Sequence, residues 1–151
     1  MSVSAERQLQ RTRRLARQAL VQAFYQLQMT AQPWQDLFQQ YSTDPDLAGL
    51  DRDFFQEALS AVATDVDGYD QLVGRFSDIA PKHLDPLEHG VLWMAVHELK
   101  NRLDIPYRVV ISEAVELTKK FGATDGHKFV NGVLDRAAHE FRALEQRSDL
   151  S

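Results

Sequence analysis

The stretch "DPLEHGVLWMAVHELK", residues 85–100, predicts the most clearly bounded helix in the chain. Asp85 suits the N-cap, Pro86 the first helical position and Glu88 the third, an arrangement close to a capping box. Behind this start, apolar residues recur every three or four positions and form one stripe: Leu87, Val91, Met94, Ala95 and Leu99. The segment therefore predicts a helix that buries one face against other helices.

Helical spacing continues on the N-terminal side of this segment, where no run alternates as a strand does. A long first helix is predicted around residues 15–27, and Pro33 begins a second. Asp51 suits the N-cap of a third helix. Gly68 is expected to interrupt that helix, and a short fourth one then ends near Phe76.

On the C-terminal side, Pro106 stops the central helix and starts the next, because proline disfavours helical geometry in the residue before it. Gly122 fits the left-handed position that ends this helix, and Asp125 can cap the last one. We therefore predict an all-α fold, a compact bundle of about seven helices.

All 151 residues are expected to form one domain, since this length supports a single hydrophobic core. Within it two packed sub-bundles are predicted, over about residues 11–76 and 85–142, meeting near residues 77–84. No run approaches the roughly 18 apolar residues of a membrane span, and the N-terminus lacks the apolar stretch of a signal peptide. A cytoplasmic protein without a membrane segment is predicted.

Enzyme and metal signatures are absent from the sequence. The chain has no cysteine, which excludes disulfides, thiolate ligands and cysteine nucleophiles. No histidine pairs with another at i+4, and no phosphate-binding glycine loop or nucleophile elbow occurs. Glu113 and Glu116 lie one turn apart, but pairing of Glu116 with Lys119 or Lys120 explains that spacing better than catalysis. We predict no catalytic activity, no metal and no cofactor.

Charge is distributed unevenly along the chain. The first 17 residues carry five arginines and one glutamate, whereas residues 18–99 carry three cations and 13 carboxylates. Such polarity is typical of a nucleic-acid surface beside a solvated or protein-binding one. Arg13, Arg14 and Arg17 cover one side of the first helix, where guanidinium forks can bind phosphates. A solvated helix start explains these arginines equally well, although positive charge there opposes the helix dipole.

The stretch "KKFGATDGHKFVNGVLD", residues 119–135, gathers cations, aromatic rings and an amide around a helix start. Lysines neutralise phosphate, aromatic rings stack on bases and amides contact base edges, so the combination suits single-stranded RNA. Taken singly, its first two lysines also favour a helix C-terminus, and its phenylalanines are more often core residues. Asn131 and Gly132, poor helix formers, predict either close approach of another helix or contact with a ligand.

This segment resembles the most characteristic motif of the NusB family, K-x-F-G-x-x-x-x-H-K-F-V-N-G-V-L-D. The stretches "DPLEHGVLWMAVHELK", "DIPYRVVISEAVELTKKFG" and "RRLARQALVQAFYQLQ" also follow the family pattern, so the resemblance covers about residues 11–142. It implies an all-helical RNA-binding protein without catalytic activity. It further implies pairing with a small-subunit ribosomal protein, NusE, binding to boxA sequences in ribosomal RNA leaders, and help for RNA polymerase in reading past terminators.

The resemblance also implies which residues bind. The implied RNA contacts are Arg13, Arg14, Arg17, Lys119, Phe121, Asp125, His127, Lys128, Phe129 and Asn131. Among them, Asp125 matches a position that is tied to the function of the RNA complex. Tyr25 and Glu88 match positions linked to the ribosomal partner. Four residues depart from the family pattern: Trp93, His97, Ser112 and Gly126.

Other functions stay open on the sequence alone. RNA cytosine methyltransferases can carry a similar helical domain, but this chain lacks the cysteine nucleophile and the cofactor-binding glycines of such an enzyme. A helical protein-binding adaptor without direct RNA contact is the main alternative. The family includes monomers and homodimers, so either state is compatible with the free protein. For RNA binding, we expect the arginines of the first helix and the residues of the last two helices to share one patch.

Overall fold

The computed structural model describes residues 2–150, and these residues form eight α-helices and no strand. The helices are α1 Val3–Thr30, α2 Trp34–Ser42, α3 Arg52–Ala63, α4 Val66–Phe76, α5 Pro86–Asn101, α6 Tyr107–Phe121, α7 Gly126–Phe141 and α8 Ala143–Leu150. Short 3-10 turns, Pro45–Leu47 and Pro81–His83, lie in the connections between α2 and α3 and between α4 and α5. The predicted all-α fold is confirmed.

The structure has one helix more than predicted, because α8 carries no apolar stripe. Its sequence is polar, and Leu144 at its start is 75% exposed. Polar contacts hold it instead: Asp149 pairs with Arg108 of α6 at 3.2 Å. The carboxylate of Glu145 accepts a hydrogen bond from the backbone N–H of Tyr107 at 2.8 Å. Hydrophobic periodicity does not detect a helix held in this way.

The helices group into two compact units, with the boundary in the sequence between Thr64 and Asp65. The first unit contains α1 to α3 and the second contains α4 to α8. The predicted first sub-bundle, about residues 11–76, includes α4. In the structure α4 packs against α5 and α7. Phe76 of α4 meets Phe141 of α7 edge-on, with 5.7 Å between the ring centroids. That the chain acts as a single domain stays a prediction.

In the first unit, α1 packs against α3 and α2. The fully buried face of α1 consists of Ala16, Ala19, Leu20, Ala23 and Phe24. Asp51 caps α3 as predicted, since its carboxylate accepts a hydrogen bond from the backbone N–H of Phe54 at 3.1 Å. The backbone N–H of Asp51 donates to the carbonyl of Thr12 at 3.0 Å. This bond fixes the start of α3 beside the arginine-rich part of α1.

In the second unit, α5 is covered on all sides. Every residue from His89 to Leu99 is buried, because α4, α6 and α7 all pack against this helix. The predicted stripe is therefore one part of a helix buried all round. The cap is as predicted: the Asp85 carboxylate accepts hydrogen bonds from the backbone N–H groups of Leu87 at 3.1 Å and Glu88 at 3.2 Å.

Polar side chains on the buried part of α5 pair with α4. Asp70 of α4 accepts hydrogen bonds from Nε2 of His89 at 2.6 Å and from Nε1 of Trp93 at 2.8 Å. Nδ1 of His97 lies 2.8 Å from the Tyr69 hydroxyl. Two of the residues that depart from the family pattern, Trp93 and His97, thus serve packing within this unit.

The buried guanidinium of Arg142 caps the C-terminal end of α5 by hydrogen bonding to backbone carbonyls. It donates hydrogen bonds to four backbone carbonyls, at 2.8 to 3.2 Å: Glu98, Leu99, Arg102 and Ile105. The last carbonyls of a helix have no partners within it, and water does not reach them when the helix end is buried. Arg142 also donates to the Glu145 carboxylate at 2.8 Å, which in turn holds the first N–H of α6.

Two glycines serve purposes other than those predicted. Gly122 ends α6 in an extended conformation (φ −100°, ψ −174°), so the predicted left-handed conformation is wrong. A Cβ there would lie 2.7 Å from the carbonyl oxygen of Thr118, so close packing requires glycine. Gly68 does not interrupt a helix. It lies in the first turn of α4, where its N–H donates to the Asp65 carboxylate at 3.2 Å.

Replacing Arg142 by alanine is expected to lower the free energy of unfolding by about 3 kcal/mol or more, because buried carbonyls and a carboxylate lose their partner. Urea denaturation followed by circular dichroism measures this change. Arg147→Ala, at an exposed position of α8, is the matched control and should change the same quantity by less than about 0.5 kcal/mol. A loss below about 1 kcal/mol for Arg142→Ala would mean that the carbonyls find other partners.

Candidate nucleic-acid interface

The three arginines of α1 have different surroundings. Arg17 is 3% exposed, and its guanidinium carbon lies 5.1 Å from the centroid of the Phe54 ring. Arg13 lies over the same ring at 5.5 Å, with Nε 3.9 Å from the Asp51 carboxylate. Arg14 is exposed. Of the predicted RNA contacts in the first unit, Arg14 is therefore the most accessible to a phosphate.

Tyr25, predicted to bind the ribosomal partner, is 45% exposed on α1. Met29, one turn later on the same face, is exposed as well. Tyrosine and methionine are both enriched in protein–protein interfaces. The surroundings of Tyr25 therefore suit a protein contact, and its role stays a prediction.

The end of α6 presents two lysines and a phenylalanine to solvent. Phe121 is 39% exposed, and Nζ of Lys120 lies 5.1 Å from its ring centroid. Nζ of Lys119 lies 3.5 Å from the Glu116 carboxylate, which is the pairing expected from the sequence. Phe121 is thus not a core residue. An exposed ring beside two cations can stack on a base while the cations neutralise phosphate.

The start of α7 differs from the predicted cap. Asp125 has φ −107° and ψ 6°, and its side chain accepts no hydrogen bond from the first turn of the helix. An N-cap side chain needs an extended backbone to turn back toward the N–H groups of the first turn, so the predicted cap is wrong. The exposed carboxylate instead lies 3.3 Å from Nζ of Lys128.

Two further predicted contacts, His127 and Phe129, are half-buried in the first turn of α7. Nδ1 of His127 is buried and has no hydrogen-bond partner. A buried polar atom of this kind is uncommon, since most such atoms are paired. The ring of His127 therefore keeps an unused hydrogen-bonding group at the helix start.

Asn131 is exposed on α7, and its Nδ2 donates to the Asp135 carboxylate at 3.2 Å. At Gly132, the nearest atom to an added Cβ would be Nη1 of Arg136, on the same helix, at 3.7 Å. The expected close approach of another helix is therefore wrong. Contact with a ligand, the other explanation offered for Asn131 and Gly132, stays open.

Glu88 of α5 lies against the first residue of α7. Its Oε2 is 2.9 Å from the position that a Cβ on Gly126 would take, so glycine leaves room for the carboxylate. Burial raises the pKa of Glu88, and the neighbouring charge of Asp85 raises this pKa further. A negative charge near a helix N-terminus is favoured by the helix dipole. The residue predicted to bind the ribosomal partner is thus next to residues predicted to bind RNA.

The second unit therefore brings together Glu88, the end of α6 and the start of α7. The arginines of α1 belong to the first unit, and the shared patch expected from the sequence stays a prediction. The list of RNA contacts implied by the resemblance leaves out Lys120, which lies over the ring of the adjacent Phe121. Sequence reasoning also missed the contact between Glu88 and Gly126, which joins distant parts of the chain and leaves no local signal.

Within residues 2–150, no three or more histidine, aspartate or glutamate side chains are grouped so that they could hold a metal ion. Over the same residues, no helix has the length and apolar character needed to cross a membrane. The chemistry that the α6–α7 surface offers is that of cations, the exposed ring of Phe121 and the amide of Asn131.

A family model described as the NusB family matches residues 7–139. The chain belongs to the NusB family. The transcription antitermination protein NusB of Teredinibacter turnerae is 45% identical over 135 residues, which make up 89% of this chain and 92% of that protein.

Solved structures share the fold. The chain is similar to T. maritima NusB, with a TM-score of 0.75 and 27% identity over 85% of this chain and 91% of that one. A crystal structure of antitermination factors NusB and NusE in complex with dsRNA gives a TM-score of 0.72 and 21% identity, over 88% and 98% of the two chains. At this lower identity the likeness concerns the fold alone.

Replacing Glu88 by glutamine is expected to stabilise this NusB-family chain at pH 7. Because the folded-state pKa is raised, the ionised carboxylate costs stability above that pKa and the protonated one does not. The gain should therefore shrink as the pH falls through the raised folded-state pKa and should be lost below the ordinary value of 4.5. Urea unfolding at a series of pH values measures it.

Glu116→Gln, which removes the same charge from an exposed side chain, is the matched control whose pH dependence is subtracted. A loss of stability for Glu88→Gln at pH 7 would contradict the prediction. The attraction between the carboxylate and the start of α7 would then outweigh the effect of burial.

Proposed function

We propose that this chain is a transcription antitermination factor without catalytic activity that binds boxA-type single-stranded RNA. Membership of the NusB family supports the role, since relatives carry that name. The proposal rests mainly on the exposed ring of Phe121, which has the Lys120 ammonium over it. The helix that follows in the chain, α7, begins at Gly126 and exposes Lys128 and Asn131. Such a surface can stack a base, neutralise phosphate and contact a base edge.

The proposed RNA contacts have unequal roles. In the first unit Arg14 contacts phosphate, while Arg13 and Arg17 lie on Phe54 and support the arginine-rich face. In the second unit the proposed contacts are Lys119, Phe121, Asp125, His127, Lys128, Phe129 and Asn131. Asp125 repels phosphate, so its contribution is to hold the Lys128 side chain at 3.3 Å.

The proposed partner is the small-subunit ribosomal protein NusE. One structure of this fold contains NusB and NusE with dsRNA. For this chain, support comes from the acidic segment 18–99, with three cations and 13 carboxylates. Opposite charge favours encounter with a basic ribosomal protein. Tyr25 and Glu88 are the proposed contacts.

The wider setting of the proposal is the RNA polymerase antitermination complex in the cytoplasm. The chain works there without a metal or a cofactor, because stacking, charge neutralisation and hydrogen bonding need neither. When free, it is a monomer or a homodimer.

Replacing Arg14 and Lys128 together by alanine is expected to weaken binding of boxA-type RNA by about tenfold or more, because two phosphate contacts are lost. The slope of log K against log salt should become shallower by about 1.4 for a single strand. The thermal melting curve should stay unchanged, since both side chains are exposed. Fluorescence anisotropy at several salt concentrations measures affinity and slope.

The matched control is the pair Lys100→Ala and Arg147→Ala, which removes the same charge from exposed positions at the ends of α5 and α8. This control should keep most of the affinity. If the Arg14 and Lys128 variant binds as tightly as the parent, the assigned surface is wrong. If the parent itself shows no salt-dependent RNA affinity, the protein-binding adaptor becomes the better account.

Replacing Tyr25 by alanine is expected to weaken association with NusE by more than about 1 kcal/mol, because aromatic residues dominate interface energetics. RNA binding by the chain alone should not change. Isothermal titration calorimetry with purified NusE measures the first quantity. Leu144→Ala, which shortens another exposed apolar side chain, is the control. Equal NusE affinity for Tyr25→Ala and the parent would remove Tyr25 from the interface.

A further inference from the structure

An open groove of about 400 Å³ lies between α6 and α7 of the second unit. Its volume falls in the range, roughly 300–1,000 Å³, of pockets that hold small ligands. Six of its lining side chains form three pairs spaced i, i+4: Ile111 with Val115, Ser112 with Glu116, and Asn131 with Asp135. Side chains at this spacing follow one another along a helix face. The groove therefore combines apolar surface with polar rows from both helices.

The charge of the groove is unsuited to phosphate. Glu116 and Asp135 contribute two carboxylates, and the amide nitrogen of Asn131 is already bonded to Asp135. Arg108, which also lines the groove, is paired with Asp149 at 3.2 Å. Acceptors therefore dominate the polar lining. The exocyclic amino groups of adenine, cytosine and guanine suit such acceptors, whereas uracil has no amino group and its one ring N–H lies between two carbonyl oxygens.

The groove adjoins the cations proposed to hold the RNA backbone. Glu116, in the groove, pairs with Lys119 at 3.5 Å. Asn131, also in the groove, lies one turn after His127 and Lys128 on α7. A nucleotide whose base enters the groove can therefore keep its phosphate near lysines. These lysines disfavour a basic peptide, which the carboxylates alone would attract, so the surroundings favour an RNA base over a protein segment.

We propose that the groove between α6 and α7 is a subsite for one unstacked nucleobase that carries an exocyclic amino group. The proposal rests on the RNA-binding function proposed above and adds a specificity element to it. The amino group donates to Asp135 or Glu116, and the ring covers Ile111 and Val115. Uracil is disfavoured because it has no exocyclic amino group and its one ring N–H lies between two carbonyl oxygens, which the carboxylates repel.

Base analogues that lack the amino group test the subsite. In boxA-type RNA, each adenosine, guanosine or cytidine in turn is replaced by purine riboside, inosine or zebularine, and affinity is measured by fluorescence anisotropy. At one position the replacement should weaken binding to the parent protein by about tenfold. In the double variant Glu116→Gln and Asp135→Asn, RNA with this analogue and unmodified RNA should differ in affinity by less than about threefold. This holds whether the double variant binds unmodified RNA more tightly or more weakly than the parent.

A control variant, Asp53→Asn with Glu140→Gln, removes two carboxylates that do not line the groove and should keep the full discrimination. If the parent binds RNA but treats all analogues alike, the subsite is wrong and the proposed function stands. If the parent shows no salt-dependent RNA affinity, the proposed function itself fails. Intact base discrimination with weakened NusE binding in the groove variant would assign the groove to a protein partner and overturn the subsite.

Discussion

The buried guanidinium of Arg142 determines how the second unit can be assembled. α5 is buried along most of its length, so the carbonyls at its C-terminal end need protein partners. Arg142 supplies them from the residue that follows α7. At the other end of α5, Glu88 meets Gly126, the first residue of α7. These two contacts mean that α5 and α7 run in the same direction. Because both helices have 16 residues, each end of α7 lies beside the corresponding end of α5.

Charged residues around the proposed interface divide into supporting and accessible ones. Arg17 is buried on Phe54, and Glu88 is partly buried beside α7. Arg14 and Lys128 are exposed. Substitution of a supporting residue alters the shape or stability of the surface, whereas substitution of an accessible residue alters only what binds to it. Loss of RNA binding in a variant is therefore informative only beside a measurement of folding.

Several features that depend on a few neighbouring residues were predicted correctly from the sequence. The caps by Asp51 and Asp85 depend on contacts two or three residues away, and helical periodicity revealed the fold class. The cap by Asp125 failed because its backbone turns the carboxylate toward Lys128. The purpose of Gly122 depends on the fold that brings Thr118 close, and α8 is held by polar contacts that periodicity does not register. The resemblance to NusB predicted a set of binding residues, which stays a prediction. It could not predict the burial of Arg17, which depends on Phe54, two helices further along the chain.

The contacts of Gly122 and Gly126 have a consequence for how the loop between α6 and α7 can evolve. A side chain at Gly122 would meet a backbone carbonyl at 2.7 Å, which cannot move without disturbing α6. At Gly126 the obstacle is the tip of Glu88 at 2.9 Å, which another rotamer can remove. Ala123, Thr124 and Asp125 between them are exposed. Substitutions in this loop are therefore tolerated at residues 123–125, and at Gly126 only if Glu88 changes its rotamer. Ligand preference can diverge between lineages at these positions while the helices stay the same.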